Sequence, residues 1–257
     1  MRIITVNLNG IRSAVRKGFF DWLQNQNADV ICVQELKAQE AELQHPSLAL
    51  LGYHAYFHYA EKKGYSGVGL YSRHKPKHVV TGLGFDTADQ EGRYVAVNLG
   101  GLWIASLYMP SGTSGDFRQT AKNNFLDRYA QYLNSLQQDK CDYIICGDWN
   151  IAHKNIDLKN WRSNQKHSGF LPEERAWMDK LLNEMSFVDA FRVVNQDPDQ
   201  YTWWSNRGRA WEKNVGWRID YQIITPGLKP TVKSAMIYKD QRFSDHAPLT
   251  IEYDIIL

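Results

Sequence analysis

The sequence predicts an α/β fold in which two β-sheets pack together and helices lie outside them. Three observations carry that prediction. Short apolar runs of strand character outnumber helical patterns in both halves of the chain, and the apolar face of a sheet has to be covered by another layer. The 257 residues, 43% hydrophobic and 23% charged, suffice for a large core and are ordinary for a globular protein. The sequence shows no linker, repeat or low-complexity stretch, so residues 1–257 read as a single domain.

Taken in order, Ile3 to Val6 is a short strand that runs out into Asn7-Leu8-Asn9-Gly10. A helical pattern over 13–26 follows, with Val15, Phe19 and Leu23 on one face. Asp29-Val30-Ile31-Cys32-Val33-Gln34-Glu35 is the next strand, and it ends on an acid. A polar segment holding a helix over about 40–51 leads to an aromatic, alternating strand over 53–59. Residues 61–67, with Lys62 and Lys63, read as a hairpin loop, and 68–72 as the returning strand. Further strands fit 94–99 and 102–108, the second closing on Tyr108-Met109-Pro110-Ser111-Gly112.

A helix over 116–136 carries Phe125, Tyr129 and Leu133 at helical spacing. Next comes Tyr143-Ile144-Ile145-Cys146-Gly147-Asp148-Trp149-Asn150, a buried strand closed by a glycine and then an acid and an amide. In an extended segment the side chains of Asp148 and Asn150 point the same way. The polar stretch 154–173 exceeds an ordinary connection and has the length of a functional loop. A helix over 174–185 precedes the C-terminal part. There, strands over 201–204 and 220–225 flank a basic loop with Arg207, Arg209 and Lys213, a strand covers 232–238, and Ser244-Asp245-His246-Ala247-Pro248 introduces the last strand, 249–253.

Net charge of +2 excludes a generally basic wrapper of nucleic acid, so a polyanion site has to come from local charge. The 13% aromatic content, with nine Trp, serves either the core or stacking on bases and sugars. Cys32, Cys141 and Cys146 are odd in number and show no zinc spacing, as expected of thiols in a reducing compartment. With no secretory pattern and no run of 18 apolar residues, the expectation is a soluble cytoplasmic protein without a membrane partner.

Strand ends carry Asn7, Glu35, Tyr108, Asp148 with Asn150, Asp220, and Asp245 with His246. Each alone reads more readily as a turn residue than as a site; six such sites in one chain point to a shared sheet edge. Hard oxygen donors suit Mg²⁺, or Mn²⁺ in its place. Asp245 beside His246 would orient the imidazole and keep it protonated, and a further acid would take a proton from water. The chemistry is metal-assisted hydrolysis of a phosphate ester.

The order Asn-x-Asn-Gly-x-Arg, Val-Gln-Glu, Tyr-x-Pro, Gly-Asp-x-Asn-x-Ala-His, Trp-Arg-x-Asp-Tyr and Ser-Asp-His-x-Pro, from Asn7 to Pro248, resembles the exonuclease III family of apurinic/apyrimidinic endonucleases. Gly169-Phe170-x-Pro172-x-Glu174 and Trp217-Arg218-Ile219-Asp220-Tyr221 resemble its DNA-repair branch. The resemblance implies a four-layered α/β sandwich, two packed mixed β-sheets flanked by helices. It implies a monomer acting on double-stranded DNA with abasic sites, nicks or blocked 3′ ends.

By position, the resemblance makes Glu35 the principal Mg²⁺ ligand, with Asn9 where many relatives carry a second acid, and Asp245 on the same side. Asn7, Asp148 and Asn150 fill the phosphate and nucleophile cluster, with Asp148 the water-activating acid. Tyr108 contacts the phosphate, His246 stabilises the transition state, and Asp220 supports the network. Trp203, Trp217 and Ile219 match the apolar walls of a pocket for a flipped-out abasic sugar, with core aromatics as the alternative. Arg207 is a candidate for the minor groove or a phosphate. At His167, AP endonucleases tend to carry Gly, Ser or Asn.

An imidazole there would obstruct an internal nucleotide while leaving a frayed 3′ end free. The expected function is therefore 3′-end cleaning (3′-phosphatase, 3′-phosphodiesterase, 3′→5′ exonuclease) with restricted incision at abasic sites. The alternatives are a general AP endonuclease, a phosphatase of soluble or lipid phosphates, and a non-catalytic nucleic-acid-binding regulator of the same fold.

Overall fold

Both ends of the chain meet in one sheet of the computed structural model, which describes residues 1–139 and 141–257. The strands, in chain order, are β1 (Arg2–Asn7), β2 (Val30–Gln34), β3 (His54–His58), β4 (Val68–Ser72), β5 (His78–Thr81), β6 (Tyr94–Leu99), β7 (Leu102–Tyr108), β8 (Asp142–Asp148), β9 (Val188–Asp189), β10 (Trp203–Trp204), β11 (Gly216–Trp217), β12 (Asp220–Ile224), β13 (Val232–Ile237) and β14 (Leu249–Tyr253). One six-stranded sheet has the order β13-β14-β1-β2-β4-β3, the other β5-β6-β7-β8-β12-β9, and β10 with β11 forms a separate ribbon. Both large sheets are mixed: β1 runs parallel to β2 and β7 parallel to β8, while the remaining pairs are antiparallel.

The helices are α1 (Ile11–Arg16), α2 (Phe19–Gln24), α3 (Glu40–Leu43), α4 (Asp86–Gln90), α5 (Asp116–Gln138), α6 (Trp161–Asn164), α7 (Pro172–Asp179) and α8 (Ala190–Val194). The apolar runs of the central strands follow from burial on both faces. Their inner faces form a core between the sheets, where Ile3, Val30 and Cys32 meet Val97, Ile144 and Ile224. Outside one sheet, Phe19, Phe20 and Leu23 of α2 cover Ile4, Ile31 and Tyr71. Outside the other, Phe125, Tyr129 and Leu133 of α5 cover Ala105 and Ile145 together with Met178 of α7. The result is the expected four-layered α/β sandwich.

Register puts the polar strand ends together. In one sheet Tyr108 of β7, Asp148 of β8 and Asp220 of β12 stand side by side, because Tyr108 pairs with Asp148 and Asp148 with Asp220. In the other, β1 and β2 end together at Asn7 and Gln34, and β14 starts at the same edge. Gly147 makes the close approach of β8 to β7 feasible, since a Cβ there would lie 1.9 Å from the Leu107 carbonyl oxygen.

Several element boundaries differ from the sequence reading for local reasons. The helix expected over 13–26 is two short ones, because Gly18 adopts a left-handed conformation between them. That expected over 40–51 stops at Leu43, and Pro46, which has no N–H to continue it, opens a 3₁₀ turn instead. The helix expected over 174–185 is α7 followed by a π-helical turn, Lys180–Glu184. The strands expected to flank the basic loop do not pair with each other: β10 pairs with β11, and β12 lies between β8 and β9. β5, α4 and α8 were not foreseen; β5 is an exposed edge strand without apolar alternation. No helix among the described residues is long and apolar enough to cross a membrane. Cys32, Cys141 and Cys146 are free thiols.

Candidate active site

At the shared sheet edge, Asp148 is the best-held side chain. Its Oδ2 accepts hydrogen bonds from Asn7 Nδ2 (2.9 Å) and Asn150 Nδ2 (3.1 Å), and its Oδ1 accepts one from the Asn150 amide (2.8 Å). The two residues converge as expected from their spacing, but not in extended backbone. Asn150 lies just past β8 at φ +51, a left-handed conformation that turns its side chain back onto Asp148. Asn150 Nδ2 also donates to the Met109 carbonyl, which fixes the amide's orientation.

Asp148 is 2% exposed. Burial pushes its carboxyl up to about 7, with Asp220 adding to the shift against the opposing charge of His246. A carboxylate poised there takes a proton from water far more readily than one at its ordinary value.

His246 Nδ1 is held by Asp220 Oδ2 at 2.9 Å, and its Nε2 faces Asp148 Oδ2 at 3.9 Å. The partner that orients the imidazole is thus Asp220, not Asp245 as the sequence reading expected. Adjacent residues in extended chain project to opposite sides, and Asp245 points away from His246 to other donors. Burial would push the His246 imidazole down, but Asp220, Asp148 and Asp245 outweigh it and raise it to about 10. His246 is therefore an imidazolium at neutral pH, with Nε2–H directed at the edge where Asp148 lies.

Asp148, Asp220 and His246 bring their ligand atoms within 4.8 Å of one another, a separation that would suit an ion. A protonated imidazole has no lone pair to give, so the better cation position lies beside Glu35. Asn7 Nδ2 donates to Glu35 Oε2 at 3.0 Å and so links the two halves of the site. Lys37 Nζ lies 2.9 Å from Glu35 Oε1 and donates to Asn9 Oδ1 at 2.5 Å. A carboxylate and a carboxamide oxygen already converge on one positive centre, and this is the hard donor set a divalent cation takes. The residues present therefore fit a metal. Asp245 accepts from Asn9 Nδ2 (3.0 Å), Trp203 Nε1 (3.1 Å) and Ser244 Oγ (3.1 Å). Burial raises its carboxyl, but the His246 charge and these donors hold it below the ordinary range. Asn9, Glu35 and Lys37 all have positive φ, at 45°, 55° and 52°. Non-glycine residues in that region cost of order 1–3 kcal/mol each and gather at functional sites.

Above this floor opens a cleft of about 820 Å³. Tyr108, Asn9, Glu35, Asp148, Asn150, Asp245 and His246 reach its surface, whereas Asn7 and Asp220 lie behind them. Burial, with Glu35 and Asp148 nearby, pushes the Tyr108 phenol well up, so it stays a hydrogen-bond donor. Trp203, Trp217 and Ile219 form one wall, the two indoles edge to face at 6.3 Å, backed by Ala152, Leu158 and Phe170. Arg207 and Lys213 line the rim, forming no ion pair among the described residues, and suit a polyanion. His167 is exposed at the cleft mouth, and its ring has no hydrogen-bond partner among the described residues.

Sequence reasoning missed Lys37, Arg93, Lys122 and Glu174. Arg93 is buried beneath Tyr108, with its guanidinium 4.9 Å from the ring centroid and Nη1 donating to the Tyr108 carbonyl at 2.8 Å. Lys37 had one signal: it follows Glu35 at i+2, as Asn9 follows Asn7. Glu174 stood in the Gly169-Phe170-x-Pro172-x-Glu174 motif without a role, and Arg93 and Lys122 had no signal, since isolated charges read as solvated.

Residues 4–246 match the Endonuclease/Exonuclease/phosphatase family. The chain is 38% identical over 257 residues to an exodeoxyribonuclease of Bacillus subtilis, spanning 99% of this chain and 100% of that one. Its fold is similar to that of an AP endonuclease from Archaeoglobus fulgidus, with a TM-score of 0.90 at 28% identity, over 99% and 100% of the two chains. It is also similar to the 3′-5′ exonuclease (NExo) from Neisseria meningitidis, with a TM-score of 0.91 at 25% identity, over 99% and 100%.

Proposed function

We propose that this chain, which belongs to the endonuclease/exonuclease/phosphatase family, clears blocked 3′ ends in nicked duplex DNA and incises internal abasic sites poorly. Its broader activity is that of its relatives: it is a DNA repair hydrolase of the exodeoxyribonuclease and AP endonuclease type, in a metal-dependent family.

The observation that carries the chemistry is the Asp148 cluster at the floor of the cleft. Asn7 and Asn150 aim the Asp148 carboxylate, which takes the proton of the attacking water. The His246 imidazolium, held by Asp220, donates from Nε2 to a phosphoryl oxygen as charge builds on it. The Tyr108 hydroxyl supplies a second donor. Glu35 and Asn9 would hold Mg²⁺, with Asp245 orienting the Asn9 amide; the ion would supply Lewis-acid neutralisation of the phosphate. Arg207 and Lys213 take the DNA backbone, and Trp203, Trp217 and Ile219 close around a deoxyribose. All these groups come from one chain, as a monomer requires.

Substrate choice rests on His167. Its imidazole at the mouth stands where a flipped-out internal nucleotide has to pass, whereas a frayed 3′ terminus enters along the floor. Replacing His167 with glycine is expected to raise incision at an internal abasic site by about tenfold or more, measured as single-turnover cleavage, while 3′-phosphate release changes by less than threefold. Wild-type incision that the substitution leaves unchanged would sink the role of His167. One observation favours the second reading, a general AP endonuclease: among the described residues nothing hydrogen-bonds the exposed ring to hold it at the mouth.

The chemistry is tested on a duplex with a nick ending in a 3′-phosphate. Release of phosphate with Mg²⁺ and none with EDTA is the expected result. Release undiminished by EDTA contradicts the cation site at Glu35 and Asn9, and no release in either condition contradicts the phosphatase reading.

A further inference from the structure

The side chains of Lys122, on α5, and Glu174, on α7, are wholly buried and form an ion pair at 2.6 Å. Desolvating two charges is repaid only if their remaining donors and acceptors are also met. Here they are met by two segments of the site and by Gln119 of α5. Lys122 Nζ donates to the carbonyl of Asn150 at 2.8 Å. Glu174 Oε2 accepts from the amides of Gly169 (2.6 Å) and Leu171 (3.0 Å), and its Oε1 from Gln119 Nε2 (3.2 Å) and Ser168 Oγ (3.4 Å).

One end of the pair therefore grips the residue that aims Asp148, and the other grips the turn that follows His167. The two segments also touch directly: the Ala152 amide donates to the Gly169 carbonyl at 2.8 Å. A Cβ at Gly169 would lie 3.1 Å from the Asn150 oxygen and 3.3 Å from the Trp217 ring, so the spacing has little slack. A pair needed for stability alone is replaceable by apolar side chains of similar size. A pair that, besides Gln119 of α5, bonds the carbonyl of Asn150 and the turn from Ser168 to Leu171 has a different use.

We infer that Lys122 and Glu174 are positioning residues, which fix the turn carrying His167 against Asn150 and thereby hold Asp148 and the cleft wall in register for turnover. The inference rests on the reading of this cleft as the place of phosphate-ester hydrolysis. It makes the rate depend on two residues that never touch substrate. A displacement of about 1 Å in a reacting group can cost on the order of 100-fold in rate.

The test compares the full chain with Lys122→Arg, Lys122→Met and the double variant Lys122→Met with Glu174→Gln. It reads kcat and KM on whichever duplex the wild type cleaves, nicked 3′-phosphate or internal abasic, together with Tm and amide exchange at Gly169 and Leu171. Lys122→Met is expected to lower kcat by about 10- to 100-fold with KM within about threefold, and to speed exchange at both amides. Lys122→Arg restores most of kcat. The double variant, free of an unpaired buried charge, regains Tm but not kcat, because the Asn150 carbonyl still lacks its ammonium donor.

Recovery of kcat along with Tm in the double variant, or unchanged exchange at Gly169 and Leu171, overturns the inference and leaves a purely structural pair. Should Lys122→Met not fold, the double variant and Lys122→Arg give the same decision. Failure of the functional reading shows up separately, in a wild type that cleaves neither duplex, and the exchange rates then decide the inference alone.

Discussion

Asp148→Asn is expected to lower kcat for phosphate release by roughly 10³-fold, within the range attributed to a positioned general acid or base. KM should hardly move, since Asp148 lies at the floor and Arg207 and Lys213 supply the contacts to the DNA backbone. An amide in this position keeps the shape but cannot take the proton. It also sets its own N–H donors against those of Asn7 and Asn150, which now meet a carboxylate. The rate should change in its pH dependence as well. Asp148 works as the carboxylate, and burial places its pKa at about 7, so the wild-type rate climbs as pH rises through 7.

The charged and titratable groups facing it are His246 and Asp220, with Tyr108 and Glu35 alongside; His246 stays protonated across this window. The acid limb therefore belongs to Asp148 and should be missing from the asparagine variant. Single-turnover rates from pH 5.5 to 8.5 check both statements. A variant that keeps its acid limb would show that another group takes the proton.

The second large effect is expected at His246. Its Nε2–H is the charged donor closest to the Asp148 carboxylate, and His246→Gln leaves a neutral amide in its place. Loss of a preorganised charged donor to a developing oxyanion costs about 10²- to 10³-fold in kcat. Asp220→Asn should cost less, since it leaves the imidazole in place with a weaker hold and a lower pKa. The double variant Asp148→Asn with His246→Gln should fall well short of the product of the single losses, because the two groups act on one proton and one charge. Full multiplicativity in single-turnover rates would mean that the two residues serve separate steps.

The fold and most of the floor were legible in the sequence because buried strands announce themselves as apolar runs, and an acid or amide directly after such a run has few reasons to be there. Asn7, Glu35 and Asp148 stand out in that way, Tyr108 closes a strand and Asp220 opens one, and register brings the ends of these strands to one edge. What pairs with what was not legible. Asp245 adjoins His246 in sequence, yet Asp220, 26 residues away, holds the imidazole. Lys122 and Glu174 are 52 residues apart on two helices and carry no local pattern that separates a buried ion pair from two solvated charges. Lys37 owes its place to a left-handed turn after β2, which no strand periodicity foretells.

The most direct test of substrate choice is a competition. Wild-type protein with Mg²⁺ meets equal amounts of two labelled duplexes in one tube, one with an internal abasic site and one with a nick ending in a 3′-phosphate. With His167 at the mouth of the cleft, phosphate should be released from the nick well before the abasic strand is cut. Incision of the abasic duplex at an equal or greater rate would contradict the account and make the protein a general AP endonuclease.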